Sequence, residues 1–117
     1  MATTISLASD FTNGKYTADG VACTNNYVVI PITWTDLNGY PEIVVETAVE
    51  NVDASYHPAM VVEGHGVTTP VKLRLSIEDG NDLLSVDSIY GDTPYARIVV
   101  YAGKATAGSI IFEQNVG

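Results

Sequence analysis

The chain has 117 residues, a length that fits one domain able to bury a core without disulfide staples. A hydrophobic fraction of 46% with only 16% charged residues excludes general disorder. Fourteen acidic residues against five basic ones give a net charge of −9, which argues against nucleic acid and against an anionic membrane surface as partners.

Of the basic residues Lys15, Lys72, Arg74, Arg97 and Lys104, only Lys72 and Arg74 lie close together in the chain. The excess negative charge reads as a means of keeping an apolar-rich protein in solution. Cys23 is the only cysteine, so no intrachain disulfide is possible. With no cation beside it in sequence, it reads as a small, partly buried apolar side chain in a reducing compartment. The first five residues show neither a basic nor an apolar segment, so no secretion signal is expected and synthesis should be cytoplasmic. The longest nearly apolar run, Tyr27 to Ile32, is far too short for a membrane span.

Alternation with a period of two recurs along the chain, and no segment holds a helical stripe for three turns. Thr3 to Ala8 reads as a first strand with Ile5 and Leu7 on one face. Asn13 and Gly14 mark a turn. Lys15 to Ala22 is a weak extended stretch broken at Asp19 and Gly20. Asn26 to Thr35 is the strongest strand, with Val28, Ile30, Ile32 and Trp34 on one side. Pro31 lacks a backbone donor, which places this strand at an edge or puts a bulge in it. Asp36 to Gly39 is a turn, and Glu42 to Val49 follows with Ile43, Val45, Thr47 and Val49 inward and Glu42, Glu46 and Glu50 outward. These two strands read as a hairpin.

Asn51 to Pro58 reads as a polar loop. Ala59 to Glu63 is a short strand with Met60 and Val62 inward, ended by Gly64 and Gly66. Val71 to Ile77 alternates cleanly, with Val71, Leu73, Leu75 and Ile77 on one face. Glu78 to Asp82 is a turn, Leu83 to Ile89 a moderate strand, and Tyr90 to Pro94 a loop. Tyr95 to Ala102 and Ser109 to Gln114 read as a closing hairpin around Gly103 and Gly108. Eight or nine strands at near-regular spacing imply an all-β fold: one antiparallel β-sandwich over residues 1–117, with a jelly roll among the arrangements that fit.

The chain offers little chemistry. His57 and His65, with Glu63, do not form a zinc-ligand spacing and read as loop histidines. Glu78, Asp79, Asn81 and Asp82 around Gly80 hint at calcium, but their order is not that of an EF-hand loop and they read as a solvated turn. No nucleophile elbow or glycine-rich phosphate loop occurs, and no carboxylate pair stands out. The expectation is a non-enzyme with no cofactor and no metal site. Trp34 fits the core. Tyr40, Tyr56 and Tyr90 fall at turns or loops, where a partner can reach them.

The stretch Ile32 to Gly39 followed by Glu42 to Asn51 is similar to a pattern in small β-sandwich structural proteins of tailed bacteriophages. There a strand ending in an aromatic and a Thr-Asp-Leu-x-Gly turn leads into a further strand. Pro94 to Gly103 with Gly108 to Phe112 resembles the closing strands of the same group. The loop from Glu50 to Tyr56 departs from the pattern, which expects a tighter turn. The resemblance implies a virion component made in the host cytoplasm, most simply a capsid decoration protein. It would bind the major capsid protein or other virion proteins as a homo-oligomer, with a trimer favoured. The alternative is a fibre or tail module, or a carbohydrate-binding sandwich, that recognises host glycans. Residues 1–11 are the expected contact arm, ordering on the shell, so Ile5, Leu7 and Phe11 join Tyr40, Tyr56 and Tyr90 as candidate partner contacts.

Overall fold

The computed structural model describes residues 2–23, 27–62, 68–86 and 94–116. In chain order the strands are β1 (Thr3–Ser6), β2 (Lys15–Thr17), β3 (Val21–Ala22), β4 (Val28–Thr35), β5 (Glu42–Ala48), β6 (His57–Pro58), β7 (Met60–Val62), β8 (Thr68–Pro70), β9 (Lys72–Arg74), β10 (Gly80–Val86), β11 (Tyr95–Tyr101), β12 (Ser109–Phe112) and β13 (Asn115–Val116). One turn of 3-10 helix, Asp53–Ser55, interrupts the segment between β5 and β6.

The fold is an all-β sandwich. One sheet runs β1-β12-β4-β10, with β13 beside β4. The other runs β2-β11-β5-β6, with β3 beside β11 and β9 beside β5. All pairings are antiparallel. Taking β1, β2, β4, β5, β9, β10, β11 and β12 as eight principal strands, the first, eighth, third and sixth make one sheet and the second, seventh, fourth and fifth the other. That order is the jelly roll. The β7–β8 hairpin is inserted between the fourth and fifth of these strands.

The inner faces meet as the alternation requires. Ile30 and Ile32 of β4 and Ile110 and Phe112 of β12 face Ile43 and Val45 of β5 and Ile98 and Val100 of β11, all buried in one cluster. Each such side chain contributes about 1.5–3 kcal/mol by leaving water. Trp34 lies in the same core with its indole N–H donating to the Glu78 carbonyl at 2.8 Å, which satisfies its one polar atom. Cys23 is buried.

Several expectations are corrected. Neither expected hairpin exists: β4 and β5 lie in different sheets, and so do β11 and β12. β4 is paired on both sides, to β10 and to β12 and β13, so it has no free edge to offer β5. The chain crosses between the sheets instead, with Leu37 buried in the crossing. β4 is therefore an interior strand despite Pro31. The Pro31 carbonyl accepts from Glu113 at 3.3 Å, and the ring nitrogen on that side has no proton to return. The ladder breaks there, and β12 and β13 are separate strands.

The supposed arm is built into the sandwich. β1 pairs along its length with β12, and Ile5 and Leu7 are core residues at 2% and 6% exposure. Phe11 packs partly against the core and lies 6.2 Å from the Tyr16 ring. Val49 and Ile77, expected inward, are exposed because their strands end before them. Around β7 Ala59 and Val61 pack on the core and Met60, expected inward, is half-buried; the Val62 side chain lies outside the description. The Asn13–Gly14 turn is as expected, with φ of 54° and 78° and mutual backbone bonds between Thr12 and Lys15.

Candidate functional site

The outer face of the β2-β11-β5 sheet carries the groups from which a site can be built. On this face of β11, Tyr95 and Arg97 are half-buried, while Val99, in the same phase, is buried. Arg97 stands in register with Glu46 of β5. Its Nε–H donates to Glu46 Oε1 at 2.9 Å and its Nη1–H to Asp53 Oδ1 at 2.7 Å. The guanidinium carbon lies 3.9 Å from the centre of the Tyr56 ring. Burial pushes the Arg97 pKa down, but the two carboxylate bonds outweigh it and the net shift is upward.

The second element of the site is the segment after β5. The 3-10 turn closes when Tyr56 N–H donates to the Asp53 carbonyl, and this lays the Tyr56 ring against Arg97. The Tyr56 hydroxyl then donates to Asn51 Oδ1 at 2.6 Å. Burial raises the Tyr56 phenol above its ordinary pKa. The Arg97 charge opposes this, while Tyr95, Asp53 and Glu46 add to it.

The third element is the break between β2 and β3. Ala18 N–H donates to the Ile98 carbonyl, while Ile98 N–H donates to Gln114 Oε1 and Gln114 Nε2 donates to the Asp19 carbonyl. Gln114, reaching over from the other sheet, thus fills the slot where the edge strand leaves β11. Gly20 leaves room there for the Tyr56 hydroxyl and the Asn51 amide, which a Cβ would displace. Between these walls lies an open cleft of about 470 Å³, lined by Thr17, Asp19, Gly20, Asn51, Asp53, Tyr56 and Arg97 among others. Its lining offers hydroxyl, amide and carboxylate groups, and its one guanidinium is already held by two carboxylates.

Of the candidate contacts, Tyr56 belongs to this cleft. Tyr40 is exposed elsewhere, with Arg74 5.2 Å from its ring centre. Ile5 and Leu7 are buried, so the structure does not offer them to a partner, and Phe11 is half-buried. Tyr90 lies outside the described residues, as do His65 and Glu63. His57 is exposed, its Nδ1 3.1 Å from the Ser55 carbonyl oxygen. Of the expected acidic turn, Gly80 to Asp82 belong to β10, and the residues before them hold the fold: the Glu78 carbonyl takes the Trp34 indole and Asp79 Oδ1 takes the Asp36 N–H. Among the described residues no group of three or more His, Cys, Asp or Glu side chains converges to hold a metal ion. No sequence motif joins Arg97, Asn51 and Asp53, Gly20 shows in the sequence only as a strand break, and Glu46 only as an outward carboxylate. The available signal was an arginine set in the middle of an apolar strand.

No family model matches the chain, and no curated protein matches it. Among solved structures, the crystal structure of PirA is similar to it, at 13% identity over 97% of this chain and 93% of that one, with a TM-score of 0.58. At that identity the likeness shows the shared fold alone, a β-sandwich along nearly the full length of both chains.

Proposed function

We propose that this protein is a non-catalytic binding module and that the Arg97 cleft takes an uncharged sugar residue of a glycan. The observation that carries the reading is the internal neutralisation of Arg97 by Glu46 and Asp53, in a cleft whose other polar lining groups are hydroxyls, an amide and carboxylates. Such a lining suits a ligand rich in hydroxyls, which both donates and accepts, and it disfavours an anion. This is the host-glycan alternative of the sequence reading. A glycan array followed by calorimetry tests it. Binding of neutral glycans that is lost in Asn51→Ala supports it, and an array without any binder overturns it.

A second reading, a virion decoration protein on the outer capsid surface, is favoured by a different observation. The outer face of the β1-β12-β4-β10 sheet has an uncharged row, Thr4–Ile111–Thr33–Asn81, beside the pair Pro31–Leu83, and Leu83 and Ile111 are exposed. In a chain of net charge −9 such a face suits contact with a protein shell, here the major capsid protein, by a homo-oligomer such as a trimer. The chain's copy number in purified particles, measured by quantitative mass spectrometry, tests it. Abundance comparable to the major shell protein supports it, and absence removes it.

A further inference from the structure

At the end of the sandwich where the β4–β5 and β11–β12 crossings meet, a second cleft of about 460 Å³ is lined by Asn38, Gly39, Tyr40, Arg74, Gly103 and Lys104. Its floor is rigid. Asn38 Oδ1 accepts from the Thr106 and Ala107 N–H groups, and Asn38 Nδ2 donates to Thr106 Oγ1. Gly39 packs so closely on the other crossing that a Cβ would lie 2.8 Å from the Ala105 nitrogen. Gly103 takes a φ of 62° directly over the Tyr40 carbonyl.

The charge on this cleft is opposite to that of the first. Two of the chain's five basic residues, Arg74 and Lys104, line it, and no carboxylate lines it. Among the described residues both ion pairs belong to Arg97, so neither Arg74 nor Lys104 is within ion-pair distance of a carboxylate. Both are exposed, and beside them Tyr40 is 49% exposed with Arg74 over its ring. Two like charges on one concave wall repel each other and attract an anion, and the adjacent aromatic ring offers a flat apolar surface.

We propose that this cleft binds an acidic sugar residue, its carboxylate held between Arg74 and Lys104 and its ring resting against Tyr40. The guanidinium supplies a forked donor and the ammonium a point charge, a pairing suited to a carboxylate. The site is separate from the Arg97 cleft and does not depend on the neutral-glycan reading.

The test is a titration of the full chain with glucuronate, followed by amide NMR. Shifts confined to Gly39, Tyr40, Gly103, Lys104 and their neighbours, saturating at roughly millimolar glucuronate, are expected. Lys104→Ala and Arg74→Gln, both at exposed positions, should each weaken binding roughly tenfold, the loss of one charge-assisted contact. Asn51→Ala, in the other cleft, should leave it unchanged. Three results overturn the proposal: no shift at these amides, equal shifts with glucose, or acetate binding as tightly as glucuronate.

Discussion

Arg97 holds two carboxylates that differ in exposure, and that difference sets what each bond is worth. The Glu46 pair is largely out of water, with the two side chains 11% and 12% exposed, whereas Asp53 is 95% exposed. Arg97→Ala should therefore cost about 3 kcal/mol, because it strands a buried carboxylate. Asp53→Asn should cost less than about 1 kcal/mol. Urea denaturation at constant slope separates the two, and equal losses would show that burial does not decide the matter. The tyrosines add a pH dependence. Burial raises the Tyr16 phenol, with Asp19 and Asp10 adding to it, and Tyr56 is raised as described above. The folded chain then keeps protons that the unfolded chain releases from about pH 10. The stabilisation is fully present below that pH and is lost as pH rises through the folded values. Melting temperature should fall across that alkaline window, and Tyr16→Phe should flatten the fall. A slope indifferent to that substitution would assign the alkaline loss to other groups.

The β4–β5 and β11–β12 crossings each turn on a glycine held against backbone, Gly39 and Gly108. Gly108 has φ of 104°, and a Cβ there would lie 2.7 Å from the Asp36 carbonyl oxygen. Gly14 also has positive φ, 78°, but nothing lies within 4 Å of its Cβ position. Gly108→Ala should cost about 3 kcal/mol, strain plus displaced backbone, and Gly14→Ala about 1 kcal/mol, strain alone. Thermal melts of the two variants check this, and similar losses would show that the close approach at Gly108 relaxes freely. The same crossings mark where the sequence ceases to be legible. A period of two tells which side chains share a face, and Val28, Ile30, Ile32 and Trp34 are indeed buried together. It does not tell which strand lies alongside, and the short polar turns after Thr35 and Tyr101 fit a hairpin as well as a crossing. The candidate site was hidden for the same reason. Glu46 and Arg97 are 51 residues apart, and only the β5–β11 register puts them side by side.

At the scale of the whole molecule, the first and eighth principal strands of the jelly roll are neighbours: among the described residues β1 pairs with β12 alone. This changes what residues 1–11 can do. An arm that orders only on a partner would be dispensable for folding, but this segment supplies four ladder positions and two core side chains, Ile5 and Leu7. Removing those side chains costs about 2–5 kcal/mol each by cavity formation and lost burial. Domains of this size have only about 5–15 kcal/mol in total. Deletion would also strip β12 of its outer neighbour and expose its hydrogen-bonding edge, an invitation to aggregation. A chain of residues 12–117 should therefore lose its cooperative thermal transition or melt far below the full chain, as followed by circular dichroism. Ile5→Ala alone should cost about 3 kcal/mol. If the shortened chain melts within a few degrees of the intact one, the first strand is an accessory after all and its role as a contact arm returns. If it unfolds, attachment to any partner must use surface that the closed sandwich already presents, and the two clefts and the uncharged sheet face are the places to mutate.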